Sequence, residues 1–179
     1  MGNQYGFFVD TSRCIKCWAC EVACKQWNGI TAGTTARRIV HEVCEGSFPS
    51  VTRTFISTAC SHCEDPACMA ACPAGAISKR EADGIVTVNK ELCIGCQTCA
   101  GACPFGIPQY RIEDGKMDKC DGCTTCGRTE DGQTHCMATC PTKALHFGPL
   151  EEMEALAAEK SGTRLEGDTM PCTFVAYRQ

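Results

Sequence analysis

The sequence predicts an α+β chain with few, short strands and helices, arranged as two small modules of which the outer is split around the inner. Three observations carry that expectation. Sixteen of the nineteen cysteines fall into four groups of four, aliphatic residues are scarce, and the segments flanking the groups repeat. Leu, Ile, Val and Phe make up only 29 of 179 residues. At that fraction a chain rarely buries enough apolar surface to offset its conformational entropy. Something else must hold it together, either disulfides or metal.

The first group is Cys14, Cys17, Cys20 and Cys24, with gaps of two, two and three residues. The second is Cys60, Cys63, Cys68 and Cys72, with gaps of two, four and three, followed by Pro73. The third is Cys93, Cys96, Cys99 and Cys103, with gaps of two, two and three, followed by Pro104. The fourth is Cys120, Cys123, Cys136 and Cys140, with gaps of two, twelve and three, followed by Pro141. The third group reproduces the run that binds 4Fe-4S clusters in bacterial ferredoxins. Three thiolates on one loop wrap three irons of a cubane, and the fourth, entering a short helix, points to the neighbouring cluster. The proline then turns the chain away. Disulfides would set three thiols competing in one tight loop, and a zinc site takes two separated pairs rather than a triplet with a detached fourth.

An internal repeat says which groups belong together. Between the second and third groups, Ala76-Ile77 opens a strand, Asp83-Gly84 supplies a turn, and residues 85–88 alternate as a second strand. Residues 59–104 therefore form an inner ferredoxin-like module. Residues 6–13, before the first group, align with residues 84–92, and residues 141–147, after the fourth, match residues 73–77. Residues 1–58 and 105–150 are expected to form the outer, split module, with a helix and tail over 151–179. Exchange of the fourth cysteine within each module gives four 4Fe-4S clusters. The inner pair takes Cys60, Cys63, Cys68 and Cys103, then Cys93, Cys96, Cys99 and Cys72. The outer pair takes Cys14, Cys17, Cys20 and Cys140, then Cys120, Cys123, Cys136 and Cys24.

A net charge of −4 gives no basic footprint for nucleic acid, and no run approaches the roughly 18 apolar residues of a membrane span. Residues 1–10 have neither the basic nor the apolar region of a secretory signal. No phosphate-binding glycine loop occurs. Reduced thiols in such a chain point to metal rather than disulfides.

Four stretches, Cys60-Ser-His-Cys-Glu-Asp-Pro-Ala-Cys68, Cys93-Ile-Gly-Cys96, Cys103-Pro-Phe-Gly-Ile-Pro-Gln-Tyr110 and Lys119-Cys-Asp-Gly-Cys123, stand between the end segments 4–10 and 144–149. Together they resemble the four-cluster iron–sulfur subunit of the dimethyl sulfoxide reductase family, a molybdopterin oxidoreductase family. The resemblance spans about residues 4 to 150. It implies a non-catalytic electron-transfer subunit working with a molybdopterin-containing catalytic subunit and an integral-membrane subunit that exchanges electrons with quinol. It also implies attachment to the cytoplasmic membrane through those partners, on either face, with export by a twin-arginine partner in one case. A free-standing polyferredoxin carrier and a zinc-stapled interaction module are the rival readings.

The remaining residues receive smaller roles. Cys126 makes a competing triplet with Cys120 and Cys123, but Cys136 repeats the ending of the other groups and is preferred. Cys44, Cys126 and Cys172 are read as buried or free thiols. His41, His62, His135 and His146 are read as supporting or surface residues rather than ligands. Lys79, Arg80, Lys119 and Arg13 lie near cysteines and could tune potential by their charge. Trp18 and Trp27 are expected to pack, and residues 150–160 to form a short acidic helix.

Overall fold

The computed structural model describes residues 3–33 and 35–177; Met1 and Gly2 of the N-terminal segment lie outside the described residues. The elements run β1 (Tyr5–Asp10), α1 (Ala19–Trp27), β2 (Arg38–Glu45), β3 (Thr52–Ala59), α2 (Ala67–Ala70), β4 (Ile77–Lys79), β5 (Val86–Val88) and α3 (Thr98–Ala102). They continue with β6 (Gln109–Arg111), β7 (Lys116–Asp118), α4 (His135–Ala138), β8 (Leu145–Pro149), α5 (Leu150–Glu159), β9 (Thr163–Arg164) and β10 (Thr173–Ala176). This is a small mixed α/β structure of short elements, as the sequence predicts.

The repeat reappears as strand pairing. β4 and β5 pair antiparallel with Ile77 opposite Val88, either side of the turn at Asp83 and Gly84. Far apart in sequence, β1 and β8 pair in the same sense, with Phe7 opposite Phe147. Those two rings lie 4.7 Å apart, tilted against each other. The helices pair likewise, α1 on α4 and α2 on α3.

Three features go beyond what the sequence predicts. β2 and β3 form a long antiparallel hairpin, register Arg38–Ala59 through Glu45–Thr52, whose outer half is exposed. β6 and β7 make a second hairpin. The C-terminal residues return to the middle of the largest sheet, where β10 runs parallel to β1 and the order is β8-β1-β10-β9. The acidic helix forms as expected, and its apolar stripe packs on this chain. Met153 and Ala157 are buried with Phe8, Phe174 and Ala176, while Leu150 and Leu156 close the edge. Burying a side chain such as Met153 contributes about 2 kcal/mol.

The rest of the core is largely thiol. One apolar cluster joins Phe7, Val9, Ile85, Leu145 and Phe147 to Cys20, Cys60, Cys120, Cys136 and Cys140. A second joins Ile77, Val86 and Met117 to Cys68, Cys93 and Cys99. The shortage of aliphatic residues is thus made up by cysteine. Among the described residues, no helix is long and apolar enough to cross a membrane.

Candidate metal centres

Each Cys-x-x-Cys turn is built in the same way. The residue before the second cysteine takes a left-handed conformation in all four, with φ of 56° at Lys16, 44° at His62, 70° at Gly95 and 63° at Gly122. For Lys16 and His62 that conformation costs about 1 to 2 kcal/mol each. The same turn at equivalent places in four loops, kept in two of them at the cost of strain, marks a functional geometry rather than an accident. Gly95 has a second reason: a Cβ there would lie 2.3 Å from the carbonyl oxygen of Gly115. The third cysteine of every group sits at the start of a helix, Cys20 in α1, Cys68 in α2, Cys99 in α3 and Cys136 in α4.

The thiols gather across groups. Cys72 joins Cys93, Cys96 and Cys99 around a small hollow walled by Ile77, Val88 and Met117. Cys103 joins Cys60, Cys63 and Cys68 around a second, beside Val86, Ile107 and Lys119. Cys140 joins Cys14, Cys17 and Cys20 around a third, beside Val40, Ser57 and Leu145. In the remaining set the thiols crowding Cys24 are Cys120 and Cys136, and those around Cys123 are Cys136, Cys126 and Cys24. Cys136 is buried, whereas Cys126 is half-buried, hydrogen-bonded with Cys123 and 3.6 Å from the carbonyl oxygen of Gly127.

Sulfur donors around an apolar hollow are the donor chemistry of an iron–sulfur cluster, soft thiolates in place of oxygen or imidazole. Among the described residues, no three His, Cys, Asp or Glu side chains converge closely enough to hold a single ion. A space bounded by four thiols, rather than a point, suits a cubane.

Donors to sulfur accompany the sets and repeat from group to group. The amide of Ala76 donates to Cys72 Sγ and that of Ala144 to Cys140 Sγ, each at 3.3 Å. The amide of Met117 donates to Cys93 Sγ at 3.4 Å and that of Gly122 to Cys120 Sγ at 3.5 Å. Such bonds favour the more negative, reduced state of a bound cluster and so raise its potential. Burial pushes the Cys68, Cys120 and Cys123 thiols up to about 12, and crowding by neighbouring thiols adds to burial in raising Cys24. Iron entering these sets must therefore displace protons. Cys60 differs. Burial opposes its ionisation, but the Lys119 ammonium and His62 outweigh it and bring the thiol down to about 5. Lys119 is buried and donates to Cys60 Sγ at 3.4 Å and to the carbonyl oxygens of Cys120 and Val86.

A buried polar network steadies the fourth group. Arg37 makes a two-pronged pair with Asp118, at 3.0 and 2.9 Å, and lies 3.1 Å from Asp121. Asp121 in turn accepts from the amides of Cys123 and Thr125. Burial opposes the charge on Asp121, yet Arg37 keeps it below the usual carboxylate range.

The other residues weighed from sequence are now placed. His62 is fully buried and its Nδ1 accepts from the amide of Val86 at 3.2 Å. His41 bonds Thr58, His146 stacks on Phe8, and His135 bonds the carbonyl oxygen of Gly127. Lys79 reaches the carbonyl oxygens of Cys63 and Glu64, Arg80 pairs with Asp83, and Arg13 is exposed. Cys172 is buried and Cys44 exposed. Trp18 and Trp27, expected to pack, are half-exposed; Trp27 instead stacks on the His135 ring at 3.9 Å. Sequence reasoning missed Arg37 and Arg38. Their only signal is a pair of adjacent charges, which reads as solvated surface.

Comparison with known proteins agrees with this chemistry. A model of the 4Fe-4S dicluster domain matches residues 51–150, which include the second, third and fourth cysteine groups. The probable anaerobic dimethyl sulfoxide reductase chain YnfG of Escherichia coli is 45% identical over 172 positions, covering 91% of this chain and 80% of its own. An anaerobic dimethyl sulfoxide reductase chain of Haemophilus influenzae is 40% identical over 182 positions, covering 97% and 85%. Protein NrfC of Escherichia coli is 38% identical over 151 positions, covering 84% and 68%. With thiol-lined cavities and relatives of this kind, the protein belongs to the 4Fe-4S dicluster domain family, among the iron–sulfur electron-transfer subunits related to those of anaerobic dimethyl sulfoxide reductases.

Proposed function

We propose that the chain relays electrons through four 4Fe-4S clusters, between a molybdopterin-containing catalytic subunit and an integral-membrane subunit that oxidises quinol, in anaerobic respiration. The observation that carries this reading is the gathering of thiols from two different groups around each of three cavities. The proposed ligand sets are the four named from the sequence. The inner module spans 59–104, and the outer comprises 1–58 and 105–150, followed by the helix and tail. Each bound cluster would supply one-electron transfer with no coordination position open to a substrate.

The residues of the chain insulate, order and bias that transfer. Cys20 neighbours Cys136, and Cys120 neighbours Cys60, while Cys68 shares an apolar cluster with Cys93 and Cys99. The sets therefore follow one another in a line. The Cys14 set stands at one end, the Cys120 and Cys60 sets lie between, and the Cys93 set stands at the other end. The two exposed ligand thiols, Cys17 and Cys96, fall in the two terminal sets. Each is bordered by exposed apolar side chains, Ile15 (59% exposed) by Cys17 and Ile94 (66%) by Cys96. Such residues beside the ends of a relay suit two protein contacts, one with an electron donor and one with an acceptor. Membrane association would then come through the partners.

The reading is tested by purifying the chain with its partners. Ile94→Glu is expected to weaken one contact and Ile15→Glu the other, each at least about tenfold, or about 1.4 kcal/mol, with the visible spectrum unchanged. A chain recovered alone at full iron content, from cells that make a molybdopterin enzyme, would instead favour the free-standing carrier.

A further inference from the structure

Arg38 opens β2 opposite Ala59, and its side chain points inward to be 2% exposed. Its guanidinium lies over the Phe7 ring at 4.6 Å. Nη1 donates to the carbonyl oxygen and the Oγ of Ser57, both at 3.2 Å, and Ser57 Oγ is itself 3.4 Å from Cys20 Sγ. The other two nitrogens, Nε and Nη2, are buried without a hydrogen-bond partner. Among the described residues no carboxylate pairs with Arg38, in contrast to Arg37 next to it. A buried guanidinium cannot shed its charge, and leaving it uncompensated is strongly destabilising. Its compensation lies in its surroundings. The groups acting on it are Cys136, Cys120, Cys20 and Cys24. Two of the sets proposed above supply these, Cys20 coming from the Cys14 set and the other three from the Cys120 set.

We infer that Arg38 is a positioning residue shared by the two outer clusters, its fixed charge and two unpartnered N–H groups directed at their sulfur so that both are easier to reduce. A cluster held by four thiolates is an anion that gains a further negative charge when it takes an electron. A desolvated cation beside it stabilises the reduced state more than the oxidised one, and N–H donation to sulfur acts in the same direction. One cation placed between two clusters raises both potentials together. The step between them stays nearly level, while the pair is set apart from the inner module. Lysine is a poorer fit here, because a point charge lacks the planar fork that lets separate N–H groups face two acceptors.

The inference rests on the four-cluster reading, and the test separates them. Iron and sulfide analysis of the unmutated full chain, purified with its partners and without oxygen, examines the clusters; redox titration followed by electron paramagnetic resonance examines Arg38. In Arg38→Met and Arg38→Gln the two outer clusters are expected to titrate lower. At an ambient potential that half-reduces them in the unmutated chain, the oxidised form should prevail by about tenfold, equivalent to about 59 mV for one electron. The inner clusters should move far less, and Arg53→Gln, which removes an exposed cation from the same hairpin, should move none. Unchanged outer potentials at full iron content, or an equal shift of all four clusters, would overturn the inference. Should neither Arg38 variant hold iron, pulsed resonance of the unmutated chain grown with guanidinium-labelled arginine decides. Coupling of labelled nitrogen to the Cys14 cluster as well as to the Cys120 cluster supports the assignment, because Arg37 neighbours only thiols of the Cys120 set; no coupling to the Cys14 cluster ends it.

Discussion

Removal of iron is expected to unfold the chain rather than leave an empty scaffold. With the clusters in place the chain should hold about 16 iron and about 16 sulfide, four of each per cysteine quartet. Both main apolar clusters are completed by thiols, so losing the metal leaves thiol-lined hollows that Ile77, Val86 and Leu145 cannot fill by themselves. It also leaves Arg38 buried without an anion. An ordinary domain has about 5 to 15 kcal/mol of net stability, and one uncompensated buried charge removes about 3 to 5 kcal/mol of it. Chelation under strictly anaerobic conditions, followed by gel filtration and near-ultraviolet circular dichroism, should therefore show an expanded chain without fixed tertiary packing. A chain that stays compact and unfolds cooperatively without iron contradicts the expectation. An anaerobic preparation at full occupancy with only about 8 iron and 8 sulfide would remove the four-cluster reading while leaving the fold intact.

How much of this is legible in the sequence depends on how local the signal is. Cysteine spacing is local, and so are the alternation in Ile85–Val88 and the stripe of the acidic helix. The β4–β5 pair, β8 and α5 follow from these, as does the meeting of groups that share cavities. β10 has no local signature that could reveal its place. Thr173–Ala176 is a short apolar run, and only pairing with β1, more than 160 residues earlier, makes it a central strand. The β2–β3 hairpin is hidden for the opposite reason. It pairs mainly with itself, much of it is exposed, and its residues alternate too weakly to mark a buried face. Arg37 and Arg38 show the same limit at the candidate site. Adjacent in sequence and identical in type, they part company only in three dimensions, one into an ion-pair network and the other between thiols. Trp27 is expected to pack because tryptophan usually does; its partner His135 lies on a distant helix, and the indole covers that buried ring while staying half-exposed itself.

The crossing of cysteines between groups gives the other large effect. Cys24 follows Cys20 by one helical turn of α1, and a reading by proximity in sequence would assign both to one cluster. Yet the thiols around Cys24 are Cys120 and Cys136, almost one hundred residues away, while Cys20 shares a cavity with Cys14, Cys17 and Cys140. Replacing a thiolate by the harder oxygen of serine weakens its hold on iron. Cys24→Ser should thus eliminate or strongly shift the resonance of the cluster held by Cys120, Cys123 and Cys136, matching Cys120→Ser, and should spare the cluster held by Cys14. Cys140→Ser should do the reverse and match Cys14→Ser, though Cys140 closes the fourth group in sequence. Cys126→Ser should leave all four signals in place, because Cys136 is the more deeply buried thiol and Cys126 touches the set only through a hydrogen bond with Cys123; loss of the Cys120 signal would make Cys126 the ligand. Electron paramagnetic resonance of the reduced variants in the intact complex reads all of these at once. Should Cys24→Ser and Cys14→Ser damage one centre while Cys120→Ser damages another, the exchange between the halves of the outer module is wrong, and each group must then hold a cluster of its own.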